Sequence, residues 1–290
     1  MTVKIAFLFL TLENPNYSDL WDKYLTNLTN VYIHPKYPEK VSWRRDCIIK
    51  DLQPTGWGFI TKAYLSLLRE AYKNKENYKF ITISESCVPI KPFDEFYDFC
   101  KNDNNSYIKI MKISKYDYNE RLLKHINKVK EENKQMFIPQ NFIKHYARFC
   151  LNREHVKKLI ELDDLGKLDF FHSMHVGDEF FLSSLLPLNH YIDFNVIFDD
   201  WEYVNKEVEN INNMLKSLYE LQEKYNIDLS SDLNELKELK KDIAKNPKTI
   251  TIIDESDLKN IKNTNAFFYR KFSKESNIRD YYEKIMKKLI

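Results

Sequence analysis

The chain has 290 residues with 45 Lys and Arg against 43 Asp and Glu, a formal net charge of +2, and is 43% hydrophobic and 14% aromatic. That composition supports one large or two small domains with a proper core and excludes a disordered chain. A near-neutral balance also argues against nucleic acid as a partner, which selects a strongly basic face. The four cysteines Cys47, Cys87, Cys100 and Cys150 show no C-x-x-C spacing. They read as thiols in a reducing compartment, neither a zinc site nor a disulfide framework.

The apolar run from Val3 to Leu10 predicts a strand buried on both faces. It is too short for a signal sequence or a membrane span, so the expectation is a cytoplasmic or otherwise soluble protein. Few glycines and abundant Asn, Lys and Ile fit an AT-rich genome, viral or microbial. Helical spacing follows from Ser18 to Leu28, then a short strand at Val31 to Ile33. Strand, helix and strand make a βαβ unit, whose ligands gather at the carboxyl ends of its strands. Thr11 and His34 both fall there.

Pro54 to Phe59 reads as a tight turn with Trp57 at its tip, able to stack on a planar ligand or to plug the following helix. That helix has Ile60, Ala63, Tyr64, Leu67, Leu68 and Ala71 on one face. A strand at Tyr78 to Ile83 leads into the polar Ser84-Glu85-Ser86 and an exit bent at Pro89. Phe93 to Cys100 predicts a helix and Tyr107 to Met111 a strand. Residues 114–140, rich in Lys and Glu, predict a solvated helix or mobile loop. Lys144 to Leu151 is a strand carrying Arg148, and Asn152 caps the next helix.

His175 to Leu186 combines Gly177, the acids Asp178 and Glu179, and apolar residues at helical spacing. Two carboxylates are therefore expected in the first turn of a short helix. Acids there can simply complement the helix dipole; their company along the chain argues for more. Tyr191 to Phe198 predicts one strand ending in Asp199, Asp200 and Trp201. Residues 204–245 predict an inserted α-helical hairpin with a capping box at Asp232 and Glu235, self-packed or a surface for homodimers. Thr249 to Ile253 predicts a return to the sheet, and a closing helix runs to Ile290. Arg270 and Lys271 are adjacent cations between aromatics, an arrangement suited to an anion.

Four segments taken in order resemble the core-2/I-branching enzyme family of glycosyltransferases (family 14-like, including its plant relatives). They are the opening strand to Thr11, the Trp57-Gly58 helix start, Ser84 to Ile90, and Arg148 to Leu186 with its helix-starting Asp-Glu-Phe. Asp200-Trp201, Lys248-Thr249 and Phe268 to Phe272 resemble its closing elements. The chain departs from the family in lacking a Gly-Ser-x-Trp lead-in at Arg148 and in carrying the hairpin where relatives have a short loop.

The resemblance implies an α/β GT-A-like fold in one domain spanning residues 1–290, with a Rossmann-type mixed sheet flanked by helices. It further implies inverting transfer from a UDP-sugar, with GlcNAc or xylose as precedents, to a glycan, protein or other hydroxyl acceptor. No metal or other cofactor is implied. Glu179 would be the general base. Lys271, Arg270 and Lys248 would hold the diphosphate, with Thr11, His34, Trp57 and Glu85 on the donor side. Asp178, Arg148 and Trp201 would face the acceptor. Two alternatives stay open: a non-catalytic carbohydrate- or nucleotide-sugar-binding module on a decayed transferase, and a metal-dependent enzyme using Asp199 and Asp200.

Overall fold

The structure, a computed structural model, describes residues 3–132, 134–186, 191–244 and 246–288. Its first strand, β1 (Lys4–Thr11), lies between β2 (Thr29–Pro35) and β3 (Asn77–Ser84), parallel to both. Alternation of side chains along β1 splits its apolar run between two cores. Ala6 and Leu8 join one, and Ile5, Phe7 and Phe9 the other. Helix α1 (Ser18–Tyr24) covers the second face, and α2 (Thr61–Tyr72) packs its apolar stripe on the first.

The remaining strands are β4 (Val88–Pro89), β5 (Ser106–Met111), β6 (Lys144–Asn152), β7 (Tyr191–Ile192), β8 (Ile197–Asp199) and β9 (Phe268–Arg270). A six-stranded mixed sheet runs β2-β1-β3-β6-β5-β7, and a second sheet runs β4-β9-β8. Helix α3 (Phe93–Lys101) lies on the α1 face; α5 (Arg153–Asp164), α6 (Asp169–Ser173) and α7 (Phe181–Leu185) lie on the α2 face. Asn152 caps α5 by accepting the His155 amide, as expected. The mixed sheet flanked by helices is the expected GT-A-like arrangement.

Several expectations are corrected. Residues 114–140 include the expected largely exposed helix, but it is anchored: a π-helical turn, Asp117–Leu123, runs into α4 (Lys124–Glu131) and buries Leu122 and Val129 in the α2-side core, while residue 133 lies outside the described residues. Tyr191 to Phe198 is not one strand. The Asp193 carboxylate accepts the Ile110 amide (3.0 Å), and the chain then crosses to the other sheet as β8. Thr249 to Ile253 forms an isolated bridge between Ile250 and Phe272, no strand. Ile250 and Ile253 are buried there while Ile252 is exposed, so burial of alternate side chains breaks down despite the β-branched composition.

The hairpin is present as α8 (Trp201–Tyr225) and α9 (Ser230–Ile243), with its own small core of Ile211, Leu215 and Leu233. Its expected capping box is not formed; α9 starts after Leu229 without a side-chain cap. A capping box forms instead at Asp254 and Asp257, opening α10 (Glu255–Asn263), a helix the spacing did not predict. The last helix is α11 (Ile278–Met286). Residue 245 of the expected hairpin and residues 289–290 of the expected closing helix lie outside the described residues. Among the described residues, no helix is long and apolar enough to cross a membrane.

Candidate functional site

The carboxyl ends of β1, β2 and β3 converge, as parallel neighbours must. The Lys36 amide donates to the Thr11 carbonyl (2.9 Å), and the Leu12 amide donates to the Glu85 carboxylate (2.7 Å). Ser86 and Asn16 tie this crevice to the second sheet through Phe272, at 3.1 and 3.0 Å. Thr11 and Glu85 thus meet the strand end that bears Arg270 and Lys271. His34 is fully buried instead. Its Nε2 accepts the Gln53 amide at 2.8 Å, its Nδ1 has no hydrogen-bond partner, and burial lowers its pKa.

The β8 and β9 register pairs Asp199 with Arg270, which sets their side chains together at 3.2 Å. Burial raises the Asp199 pKa, with Arg270 and then Arg148 opposing it. Lys271 extends past them, its Nζ 3.4 Å from the Asn246 side-chain oxygen. Burial and then the Arg270 charge push its pKa below the ordinary lysine value, with Glu85 and Asp199 opposing. Asp200 does different work: it caps α8 through the Tyr203 amide (3.0 Å) and accepts from Asn260 (3.2 Å). Half-buried Trp201 opens that helix. Lys248 is held by Asp257 at 2.7 Å and Asp254 at 3.1 Å.

The acidic stretch forms a tight 3-10 turn, Gly177–Glu179, ahead of α7, so the expected single helix is broken at Phe180. Close packing sets this turn. A Cβ on Gly177 would lie 2.1 Å from the Phe171 carbonyl oxygen. Val176 adopts φ 54°, a left-handed conformation that disfavours a β-branched residue. Its amide donates to the Gly58 carbonyl at 2.6 Å, and Gly58, at φ 76°, leaves no room for a side chain beside His175. Trp57, at the tip of that turn and 67% exposed, lies against the His175 ring with centroids 4.9 Å apart. It therefore packs on the loop that carries Glu179.

Asp178 is only 4% exposed, and one of its carboxylate oxygens has no hydrogen-bond partner. Burial, followed by the Glu179 charge, pushes its pKa up to about 7, and Arg148 opposes this. Arg148 reaches from β6 to the Tyr64 hydroxyl and lies in the field of both Asp178 and Asp199. It electrostatically joins the acidic turn to the basic strand end. Glu179 is more open, and its Oε2 is 3.2 Å from the Lys144 ammonium. Lys144 also reaches Asp117 at 2.8 Å. Neither Lys144 nor Asp117 was singled out by the sequence. The available signal was a second cation, besides Arg148, at the start of a strand whose far half is apolar.

This arrangement offers a carboxylate at a rigid turn, a connecting arginine, and cations at the end of a second sheet. Among the described residues, no group of three or more His, Cys, Asp or Glu side chains is placed to hold a metal ion. No curated protein matched the chain. The family model for core-2/I-branching enzyme matches residues 5–210. That span includes Thr11, His34, Trp57, Glu85, Arg148, Asp178, Glu179 and Trp201, and ends before Lys248, Arg270 and Lys271. With most of its length matched, the chain belongs to the core-2/I-branching enzyme family of glycosyltransferases.

Proposed function

We propose that the enzyme transfers a GlcNAc- or xylose-like sugar, with inversion and without a metal, from a UDP-sugar to a hydroxyl of a glycan or other acceptor. The acceptor oxygen attacks the anomeric carbon while its proton passes to Glu179. The bond to the β-phosphate oxygen breaks, and UDP leaves with the electron pair. Direct displacement inverts the anomeric centre. Lys271 and Arg270 meet the charge developing on the diphosphate, where fixed cations stabilise a transition state most. Asp178, buried in the same turn, orients the base or the acceptor.

The observation that carries this reading is the position of Glu179. It is a partly open carboxylate on a turn packed against Phe171 and Gly58, next to Asp178, which shares the field of Arg148 with Asp199. Metal independence is supported by the other engagements of Asp199 and Asp200, with Arg270 and with the α8 cap respectively.

The test is turnover with a panel of nucleotide sugars in EDTA, on wild type and Glu179→Gln. Removing a general base is expected to lower turnover by about 10²- to 10⁴-fold while donor binding persists. Wild-type turnover in Glu179→Gln would sink the assignment of the base. Activity restored only by a divalent cation would favour Asp199 and Asp200 as metal ligands. Binding without any turnover would leave a decayed transferase.

A further inference from the structure

A further cation lies beside the proposed base. Lys144 opens β6, and its side chain is 9% exposed. Its ammonium stands between two carboxylates, 2.8 Å from Asp117 Oδ2 and 3.2 Å from Glu179 Oε2. A lysine head on a flexible four-carbon stem does not by itself hold a fixed place. Asp117 supplies that place. It is buried, its Oδ1 takes Arg121 at 2.8 Å, and Ser114 donates to Oδ2 at 2.7 Å while accepting the Asp117 amide at 3.0 Å. The π-helical turn carrying Asp117 is packed into the core through Leu122. The anchor is therefore part of the fold and not a passing surface contact.

We propose that Lys144 is a positioning residue for Glu179, with Asp117 as its anchor. The contact holds Oε2 and leaves Oε1 to receive the acceptor proton. A cation beside a base opposes protonation, which by itself would weaken the base. Sharing the ammonium with Asp117 offsets part of that charge and retains its directional hydrogen bond. The gain is geometric, since a general base acts only within hydrogen-bond reach of the proton it takes. This inference rests on the reading of Glu179 as the base.

The experiment measures kcat and donor KM separately for Lys144→Met, Lys144→Arg, Asp117→Asn, Glu179→Gln and the double variant Lys144→Met/Glu179→Gln. UDP-GlcNAc and UDP-xylose serve as donors, well below each variant's melting midpoint. Lys144→Met is expected to lower kcat by roughly 10- to 100-fold, the scale of a small misplacement. Its KM should change by less than about threefold. Lys144→Arg should restore most of kcat, and Asp117→Asn should fall in between. The double variant should be no slower than Glu179→Gln alone, because the lysine acts through the glutamate. Wild-type kcat in both Lys144→Met and Asp117→Asn, beside an inactive Glu179→Gln, would overturn the positioning role and leave the base intact. Additive losses in the double variant would also overturn it. An active Glu179→Gln would instead remove the base and the positioning role together. Should Lys144→Met fail to fold, Lys144→Arg and Asp117→Asn carry the same comparison.

Discussion

Lys248 and Lys271 are both lysines expected at the leaving diphosphate, and both lie beyond the residues matched to the family. Their surroundings differ. Lys248 meets two carboxylates, and its closer partner, Asp257, has a side chain that is 0% exposed. Lys271 has a neutral amide oxygen at 3.4 Å and stands next to another cation. A lysine already satisfied by two aspartates would have to break that pairing to neutralise a phosphate. One surrounded by burial and like charge gains from an incoming anion. Charge in a sequence is therefore not charge available to a substrate.

The comparison can be broken by substituting each lysine in turn. Lys271→Ala is expected to lower kcat/KM by about 10²- to 10³-fold, the usual scale for a lost oxyanion stabiliser. Calorimetry with UDP should show weaker binding. Lys248→Ala is expected to act chiefly on stability. It leaves a buried aspartate unpaired, a cost of about 3 kcal/mol, read from urea unfolding. If both variants instead lost UDP binding to the same degree with unchanged unfolding midpoints, the distinction between the two lysines would collapse.

The acidic turn sharpens the same contrast with a smaller effect. Asp178 has a folded pKa raised to about 7 from an ordinary 3.8. Between those values the unfolded chain has released this proton and the folded chain retains it. Stability contributed at this site therefore falls as pH rises from about 4 to about 7, and the penalty is complete above that range. Asp178→Asn should flatten this part of the pH profile of the unfolding free energy, by on the order of a few kcal/mol at pH 8. An unchanged slope would mean that Asp178 is ionised where it is buried.

Much of the scaffold was legible because its signals are local. An apolar run predicted β1, three-four spacing predicted α2, and Gly177 with its two acids marked a helix start where a 3-10 turn precedes the helix. The spacing also found the hairpin, whose small core keeps that pattern. The reading failed where a local preference met a distant partner. Asp193 takes the Ile110 amide and divides an expected strand, and Leu122 and Val129 anchor in the core a segment expected to be a solvated helix or mobile loop. The expected capping box at Asp232 lost out because the turn into α9 forms without it.

The sequence by itself determined the alternation of strands and helices, the family, and the acidic turn as the place to look. The alternation and the acidic stretch follow from periodicity and from residue types that act over a few neighbours, and the family from motifs that resemble it in order. Only the tertiary structure decided which charges are already spoken for. Lys144 meets Asp117 from 27 residues away, and Arg270 meets Asp199 from 71 residues away, through strand register and core packing. Electrostatic partnership depends on distance and burial in space, and neither is written in the spacing of residues along the chain.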